Sequence, residues 1–177
     1  MYQDACCGED FSSNAVPTIG QKIADVEIDI YQQDNFRKAR LSEFQGKWLI
    51  LFFYPADFTF ICPTELAELS ASYEQFQKLN AEVLSVSTDT KFTHKAWHDH
   101  SPSIKKVAFP MAADPAGEMA KSFGVYIEAG EDRGLALRGS FLIDPDGVLQ
   151  ACEVHNNNIG RSAGELLRKL EAAIFVR

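Results

Sequence analysis

The segment FYPADFTFICPTE, residues 53–65, contains a lone cysteine that is followed at once by proline. The preceding run KWLILFF predicts a buried strand, and PTELAELSASYEQFQKL predicts a helix with apolar residues spaced by three and four. Proline is favoured at the first helical position, so Pro63 predicts the helix start and makes Cys62 its cap residue. A thiolate gains from the positive end of a helix. Cys62 is therefore the candidate nucleophile, rather than an inert core cysteine beside Phe58 and Phe60.

The residue three positions after Cys62 decides between two thiol chemistries. Thioredoxin-type oxidoreductases place a second cysteine there, as Cys-x-x-Cys at a strand-to-helix junction. Residue 65 is instead Glu65, so Cys62 has no local partner for an internal disulfide. A thioredoxin-like thiol-disulfide oxidoreductase becomes the alternative interpretation, and attack on an oxygen to give a sulfenic acid is favoured.

The other residues that could carry chemistry are weaker candidates. His94 and His98 lie four apart and could share a helix face, but the zinc-protease motif requires glutamate directly after the first histidine, and lysine stands there. Cys6 and Cys7 lie in a polar lead, where a pair of exposed thiols is the simpler interpretation. Cys152 falls in VLQACEV and is expected to pack as a strand residue in the sheet.

The length and composition of the chain limit the number of domains, the partners and the location that can be expected. A chain of 177 residues is about one domain, and Asp and Glu outnumber Lys and Arg by 25 to 17. The net charge of -8 repels phosphate backbones, so nucleic acid is not an expected partner. No apolar run approaches a membrane span of about 20 residues, and the N-terminus lacks signal-peptide features. We expect a cytoplasmic protein, although a targeting leader could have been removed.

The order of periodic segments predicts an α/β fold. Strands are expected in DVEIDIY, KWLILFF, AEVLSVSTD and FPMAAD, and two more flank the Asp-Pro-Asp-Gly turn in LRGSFLIDPDGVLQACEV. Helices are expected in PTELAELSASYEQFQKL, FTHKAWHDH, GEMAKSFG and GRSAGELLRKLEAAIF. We predict a single domain over residues 1–177 with a flexible lead over residues 1–16. A cysteine lies at the end of a central strand. This position favours a thioredoxin-like architecture, in which helices cover the sheet.

Four motifs in order resemble the peroxiredoxins, and in particular their typical 2-Cys branch with the alkyl hydroperoxide reductase C subunits. They are Pro-x-x-x-Thr-x-x-Cys, Cys-Pro-Thr-Glu, LRGSFLIDPDG and IGRSAGELLRKL. The resemblance spans nearly the whole chain. It implies a thioredoxin-like fold, with a central mixed sheet flanked by helices and N-terminal additions, and a peroxide-reducing cysteine without metal or organic cofactor.

The resemblance also implies a role for each matching residue. Cys62 would attack the peroxide, and Thr59 would hydrogen-bond it. Pro55 would exclude water from the pocket. Arg138 would stabilise the developing negative charge. Glu65 would orient Arg138, and it would orient a second arginine, Arg161, in the same way.

The resemblance further implies partners. It indicates hydrogen peroxide and organic hydroperoxides as substrates, a thioredoxin-like protein or a flavoprotein reductase as electron donor, and a homodimer that commonly assembles into a ring of five dimers. A different class of function, a peroxide-sensing or chaperone-like oligomer, stays open at this point. Sustained reductant-dependent turnover would separate the two.

The resolving thiol of that branch is not found in the sequence. It lies in a tail beyond the last helix, within a Val-Cys-Pro motif, whereas this chain stops at AAIFVR with no cysteine after Cys152. We expect that the tail has been removed, since the chain ends where the tail would begin. Cys6, Cys7 and Cys152 are the alternatives for this role.

Overall fold

The computed structural model describes residues 16–177. The predicted lead over residues 1–16, with Cys6 and Cys7, lies outside the described residues except for Val16. The strands are β1 (Glu27–Gln32), β2 (Asn35–Arg40), β3 (Trp48–Phe53), β4 (Ala81–Ser87), β5 (Met111–Ala113), β6 (Arg138–Ile143) and β7 (Leu149–His155). The helices are α1 (Cys62–Ala71), α2 (Tyr73–Lys78), α3 (Lys91–His100), α4 (Glu118–Ser122) and α5 (Ala163–Val176).

The seven strands form one mixed sheet in the order β2-β1-β5-β4-β3-β6-β7. The central strand β3 runs parallel to β4, with Phe53 opposite Val86, and antiparallel to β6, with Phe52 opposite Ser140. β6 and β7 form the hairpin predicted around the Asp-Pro-Asp-Gly turn. The predicted mixed sheet flanked by helices is confirmed.

The alternating side chains of β3 divide the core into two clusters. All six residues of this strand are buried, as its continuous apolar run predicts. Ile50 and Phe52 belong to the cluster with Leu66 of α1 and Leu166 of α5, on one face of the sheet. The intervening residues, such as Leu51, pack on the other face with residues of α4. Helices therefore cover both faces of the strand that leads to Cys62.

Two elements differ from the sequence prediction. β2 was not predicted, because Ala39 is its only buried residue and the strand forms by pairing with β1 at the sheet edge. The single helix predicted over residues 63–79 is two helices, which meet at Ser72. The apolar spacing continues through Ser72, so the pattern does not reveal the break. Within residues 16–177, no helix combines the length and the apolar character needed to cross a membrane.

Candidate active site

Cys62 lies where the chain passes from β3 into α1. The prediction that Cys62 caps this helix is wrong by one residue, since Cys62 is its first residue and Pro63 its second. Ile61 takes the cap position because its carbonyl already accepts hydrogen bonds from the N–H groups of Thr64 and Glu65, at 3.1 and 3.2 Å. The sulfur still lies in the first turn, at the positive end of the helix. The Cys62 side chain is fully buried.

Arg138 brings a guanidinium to the sulfur. It is the first residue of β6, it is buried, and its Nη1 lies 3.3 Å from Cys62 Sγ. Its Nε donates to the carbonyl of Asn157 at 2.9 Å, which fixes the plane of the guanidinium. A buried cation with one N–H pointing at the sulfur stabilises negative charge that forms there.

Glu65 joins both arginines to the first turn of α1. Its carboxylate accepts from Arg138 Nη1 at 2.5 Å and from the backbone N–H of Arg161 at 2.7 Å. The Nε of Arg161 donates to the same carboxylate at 3.1 Å. Two guanidinium groups therefore share one carboxylate, and this buried cluster carries a net positive charge that an anionic Cys62 sulfur would neutralise.

Arg161 connects the cluster to strands β3 and β6. Its guanidinium lies 3.5 Å from the centre of the Phe52 ring, and its Nη1 donates to the carbonyl of Gly139 at 2.8 Å. Burial lowers the pKa of Arg161 below its ordinary value, and the hydrogen bond to Glu65 offsets only part of this effect. Arg161 is thus connected to Cys62 through Glu65 and Arg138.

Pro55 and Thr59 lie in the loop between β3 and α1, over residues 54–61, which we name the Cys62 loop. Pro55 is buried, and Thr59 is half-buried. The Thr59 hydroxyl donates to the carbonyl of Ala56 at 2.9 Å, so its oxygen is left to accept a hydrogen bond from another donor. Phe58 and Phe60 are exposed in this loop, so they do not form a core around Cys62.

A buried polar group beside this loop was missed in the sequence. Asp57 accepts from the Tyr54 hydroxyl at 2.7 Å and contacts His94 Nδ1 at 2.8 Å. Both ring nitrogens of His94 are occupied, because Nε2 faces the carbonyl of Ala112 at 3.1 Å. The isolated aspartate within the apolar run FFYPADFTFI was the only signal for this group.

The remaining candidates lie apart from the sulfur. His98 packs its ring on Tyr31, and residues 16–177 contain no group of three or more potential metal ligands. Cys152 lies in a strand as predicted, but it is exposed rather than packed, because β7 is the edge strand of the sheet. Cys6 and Cys7 lie outside the described residues.

Comparisons with known proteins agree on one family. The AhpC/TSA family model matches residues 19–152. The chain is 49% identical over 146 residues to alkyl hydroperoxide reductase C of Staphylococcus aureus, which covers 82% of this chain and 76% of that protein. Among solved structures, Enterococcus faecalis AhpC matches with a TM-score of 0.86 and 46% identity, covering 91% of this chain and 95% of that one. The reduced 2-Cys peroxiredoxin of Plasmodium vivax matches with a TM-score of 0.81 and 33% identity, covering 88% and 82%.

Proposed function

Because the chain belongs to the AhpC/TSA family and is a thiol-dependent peroxidase with the thioredoxin-like fold of the peroxiredoxins, we propose that Cys62 is the thiol that reduces the peroxide. The observation that carries this proposal is the 3.3 Å contact between Arg138 Nη1 and Cys62 Sγ inside a buried cluster with net positive charge. Glu65 stands where a thioredoxin would have its second cysteine, and its carboxylate is engaged by the two arginines. This supports the peroxidase over a thiol-disulfide oxidoreductase.

The reaction oxidises the sulfur and splits the O–O bond. The Cys62 thiolate attacks the outer oxygen of ROOH, the S–O bond forms as the O–O bond breaks, and the RO⁻ leaving group takes a proton and departs as ROH. The product is the sulfenic acid of Cys62. Arg138 lies where negative charge is transferred, Thr59 accepts from the peroxide O–H, and Pro55 excludes water from the attacked bond.

Activation of the thiol alone does not supply the rate. Lowering the pKa of a cysteine from about 8.5 to about 6 raises its thiolate fraction near pH 7 by roughly thirtyfold. The same change lowers the intrinsic nucleophilicity of the thiolate by roughly tenfold or somewhat more. We therefore assign most of the acceleration to Arg138 and Thr59, which act on the breaking O–O bond.

The proposed substrates are hydrogen peroxide and organic hydroperoxides, consistent with the name of the Staphylococcus aureus relative, alkyl hydroperoxide reductase C. The proposed electron donor is a thioredoxin-like protein or a flavoprotein reductase.

The proposed assembly is a homodimer, with a ring of five dimers as the larger form. The open edge of β7, where Val154 is exposed, supports self-association. The cytoplasmic location stays a prediction.

Two substitutions test the assignment of Cys62 and Arg138. Cys62→Ser should abolish peroxide reduction while the fold survives, because serine is nearly isosteric but is a weak nucleophile at its free pKa. Arg138→Ala should slow oxidation of Cys62 by about 10²- to 10³-fold, the cost of losing one transition-state donor. The measurements are stopped-flow oxidation by peroxide and alkylation by iodoacetamide, with the exposed Arg168→Ala as the matched control.

Retained turnover in the serine variant contradicts the proposed role of Cys62. If peroxide oxidation and alkylation fall in the same proportion in Arg138→Ala, the arginine acts only on the thiol, and its transition-state role is wrong.

A further inference from the structure

The side chain of Arg138 is held in part by a segment outside the sheet. Its Nε donates to the carbonyl of Asn157 at 2.9 Å, and Asn157 lies two residues beyond the end of β7. The guanidinium is otherwise held at Nη1, which contacts both Cys62 and Glu65. A planar guanidinium that is held at one nitrogen can pivot about it, so the hydrogen bond at Nε determines which way the group faces.

The side chain of Asn157 is held by Asp132. The amide Nδ2 of Asn157 donates to Asp132 Oδ2 at 3.1 Å. The amide oxygen Oδ1 is buried and has no hydrogen-bond partner among residues 16–177. In this part of the chain, the bond to Asp132 is therefore the contact that fixes the direction of the Asn157 amide.

Asp132 lies in the loop that leads into β6. The two ends of this loop, Ile127 and Leu135, are joined by a hydrogen bond of 2.9 Å from the N–H of the first to the carbonyl of the second. The contacts therefore close a circuit. The chain runs from Asp132 to Arg138, the Arg138 side chain donates to the carbonyl of Asn157, and the Asn157 amide donates back to Asp132.

An open cleft separates the two segments that this hydrogen bond joins. The cleft has a volume of 370 Å³, and its walls include Glu131 and Asp132 on one side and Asn156 and Asn157 on the other. The hydrogen bond between Asp132 and Asn157 thus crosses a gap and does not lie within a packed interface. Its loss would leave the segment after β7 free to shift.

We propose that Asp132 and Asn157 are positioning residues for peroxide reduction, which hold the Arg138 guanidinium in the orientation that acts on the peroxide at Cys62. The bond between their side chains fixes the Asn157 carbonyl, and this carbonyl fixes Arg138 Nε. When the bond is broken, the guanidinium turns away from the breaking O–O bond. A misplacement of about 1 Å can cost up to about 10²-fold in rate. The inference rests on the proposed function, because it concerns the attack of Cys62 on a peroxide.

The hydrogen bond of Asp132 and its negative charge have opposite expected effects. A carboxylate near Cys62 disfavours negative charge on the sulfur, so removal of that charge would leave the reaction unchanged or make it faster. Asp132 is also exposed and two hydrogen bonds away from the guanidinium, and solvent-exposed charges are largely screened beyond a Debye length of about 10 Å. A slower reaction without Asp132 would therefore report the lost hydrogen bond.

Substitutions at the two residues separate the hydrogen bond from the charge. Asp132→Asn removes the charge and keeps an oxygen that accepts from Asn157, whereas Asp132→Ala removes both. Asn157→Ala removes the donor and keeps the backbone carbonyl that Arg138 uses. Glu131→Ala is the matched control, since Glu131 precedes Asp132, carries the same charge and lines the same cleft.

The experiment measures the rate constant for oxidation of Cys62 by hydrogen peroxide by stopped flow. Iodoacetamide alkylation reports the thiol, and thermal unfolding reports the fold. Asp132→Ala and Asn157→Ala should each slow oxidation by about 10-fold and change alkylation by about twofold or less. The double variant should be no slower than either single variant, because both remove the same bond. Asp132→Asn should restore the rate to within about twofold of the wild type, which Glu131→Ala should match.

Each other outcome contradicts a stated part of the proposal. If Asp132→Ala is oxidised as fast as the wild type, the bond does not position Arg138. If Asp132→Asn is as slow as Asp132→Ala, or if both are faster than the wild type, the charge acts and the hydrogen bond does not. Two single effects that multiply in the double variant would show that the residues act separately.

Two further results are distinguishable from these. Equal slowing of oxidation and alkylation would place the effect on the thiol and overturn the link to Arg138. A wild-type chain whose Cys62 does not react with peroxide at all overturns the proposed function. Because Asp132 is exposed, the comparison of its alanine and asparagine variants decides the proposal even if Asn157→Ala does not fold.

Discussion

At the scale of single residues, Glu65 is the carboxylate that joins the two arginines of the active site. It is buried, and its two oxygens accept from Arg138 and Arg161, which are themselves buried. A surface ion pair contributes little to stability, but removing one member of a buried group leaves the others charged and uncompensated. We therefore infer that the carboxylate contributes both to the stability of the fold and to the position of Arg138.

We expect Glu65→Gln to lower the free energy of unfolding by roughly 3–5 kcal/mol, because two buried guanidinium groups lose their counter-charge. It should also slow the oxidation of Cys62 by peroxide, since Arg138 is no longer held. Urea denaturation and stopped-flow oxidation measure the two effects. Glu74→Gln is the control, since this exposed residue pairs with exposed Lys78 at 3.6 Å and should change stability by about 0.5 kcal/mol or less. Equal stability of the two variants would show that the Glu65 cluster is not held by charge.

The sequence reveals some of these residues and conceals others for a physical reason. Cys62 is recognisable because Pro63 next to it marks the start of a helix, and this is a local signal. The pairing of Asp57 with His94 joins residues 37 apart, and no local pattern reports it. The partners of His94 become known only when β5 and the Cys62 loop are placed around α3.

At the scale of elements, strands with a continuous apolar run were predicted well and weakly patterned ones were not. β3 and β4 are recognisable because nearly every residue in them is buried. β2 has no such pattern, because all of its side chains except that of Ala39 are exposed, and backbone pairing with β1 holds the strand. The exposure of Cys152 was missed for a similar reason. The sequence of β7 predicts a strand, but it does not show that this strand lies at the edge of the sheet.

The start of α4 offers a test of local backbone geometry. Gly117 caps this helix with a φ of +66°, and a Cβ there would overlap the ring of Tyr126. Gly46 has a similar φ of +86°, and a Cβ there would meet no atom of residues 16–177 within 4 Å. We expect both alanine variants to be destabilised by the left-handed backbone, and Gly117→Ala by about 1–3 kcal/mol more than Gly46→Ala because of the overlap. Thermal unfolding of the two variants measures the difference, and equal melting temperatures would contradict the steric argument.

At the scale of the whole molecule, the sheet keeps the two described cysteines apart. Cys152 stands opposite Phe141, three residues or roughly 10 Å along β6 from Arg138. The Phe141 ring belongs to the core cluster on one face of the sheet, and Cys62 belongs to the cluster on the other. The fold thus holds Cys152 away from the oxidised Cys62 of the same subunit.

We therefore expect the 177-residue chain, treated with one equivalent of peroxide, to accumulate sulfenic acid on Cys62. Dimedone should trap it, and peptide mass mapping should find no disulfide between Cys62 and Cys152. Cys152→Ser is the control and should give the same yield of dimedone adduct. A rapid link from Cys62 to Cys152 would contradict the separation described above, whereas a link to Cys6 or Cys7 would identify the resolving thiol.

The wide spacing of the active-site residues along the chain has a consequence for how the protein becomes active as it folds. Arg138 is 76 residues from Cys62 in sequence, and Arg161 is 96 residues from Glu65. Contacts between such distant residues form late, because closing long loops costs entropy before the contacts compensate for it. Until β6 docks against β3, a nascent or refolding chain carries only an ordinary thiol at position 62. On the proposed role of Cys62, we therefore expect its sensitivity to peroxide to arise only once β6 has docked, so that an unfinished chain with an open core is not yet sensitive.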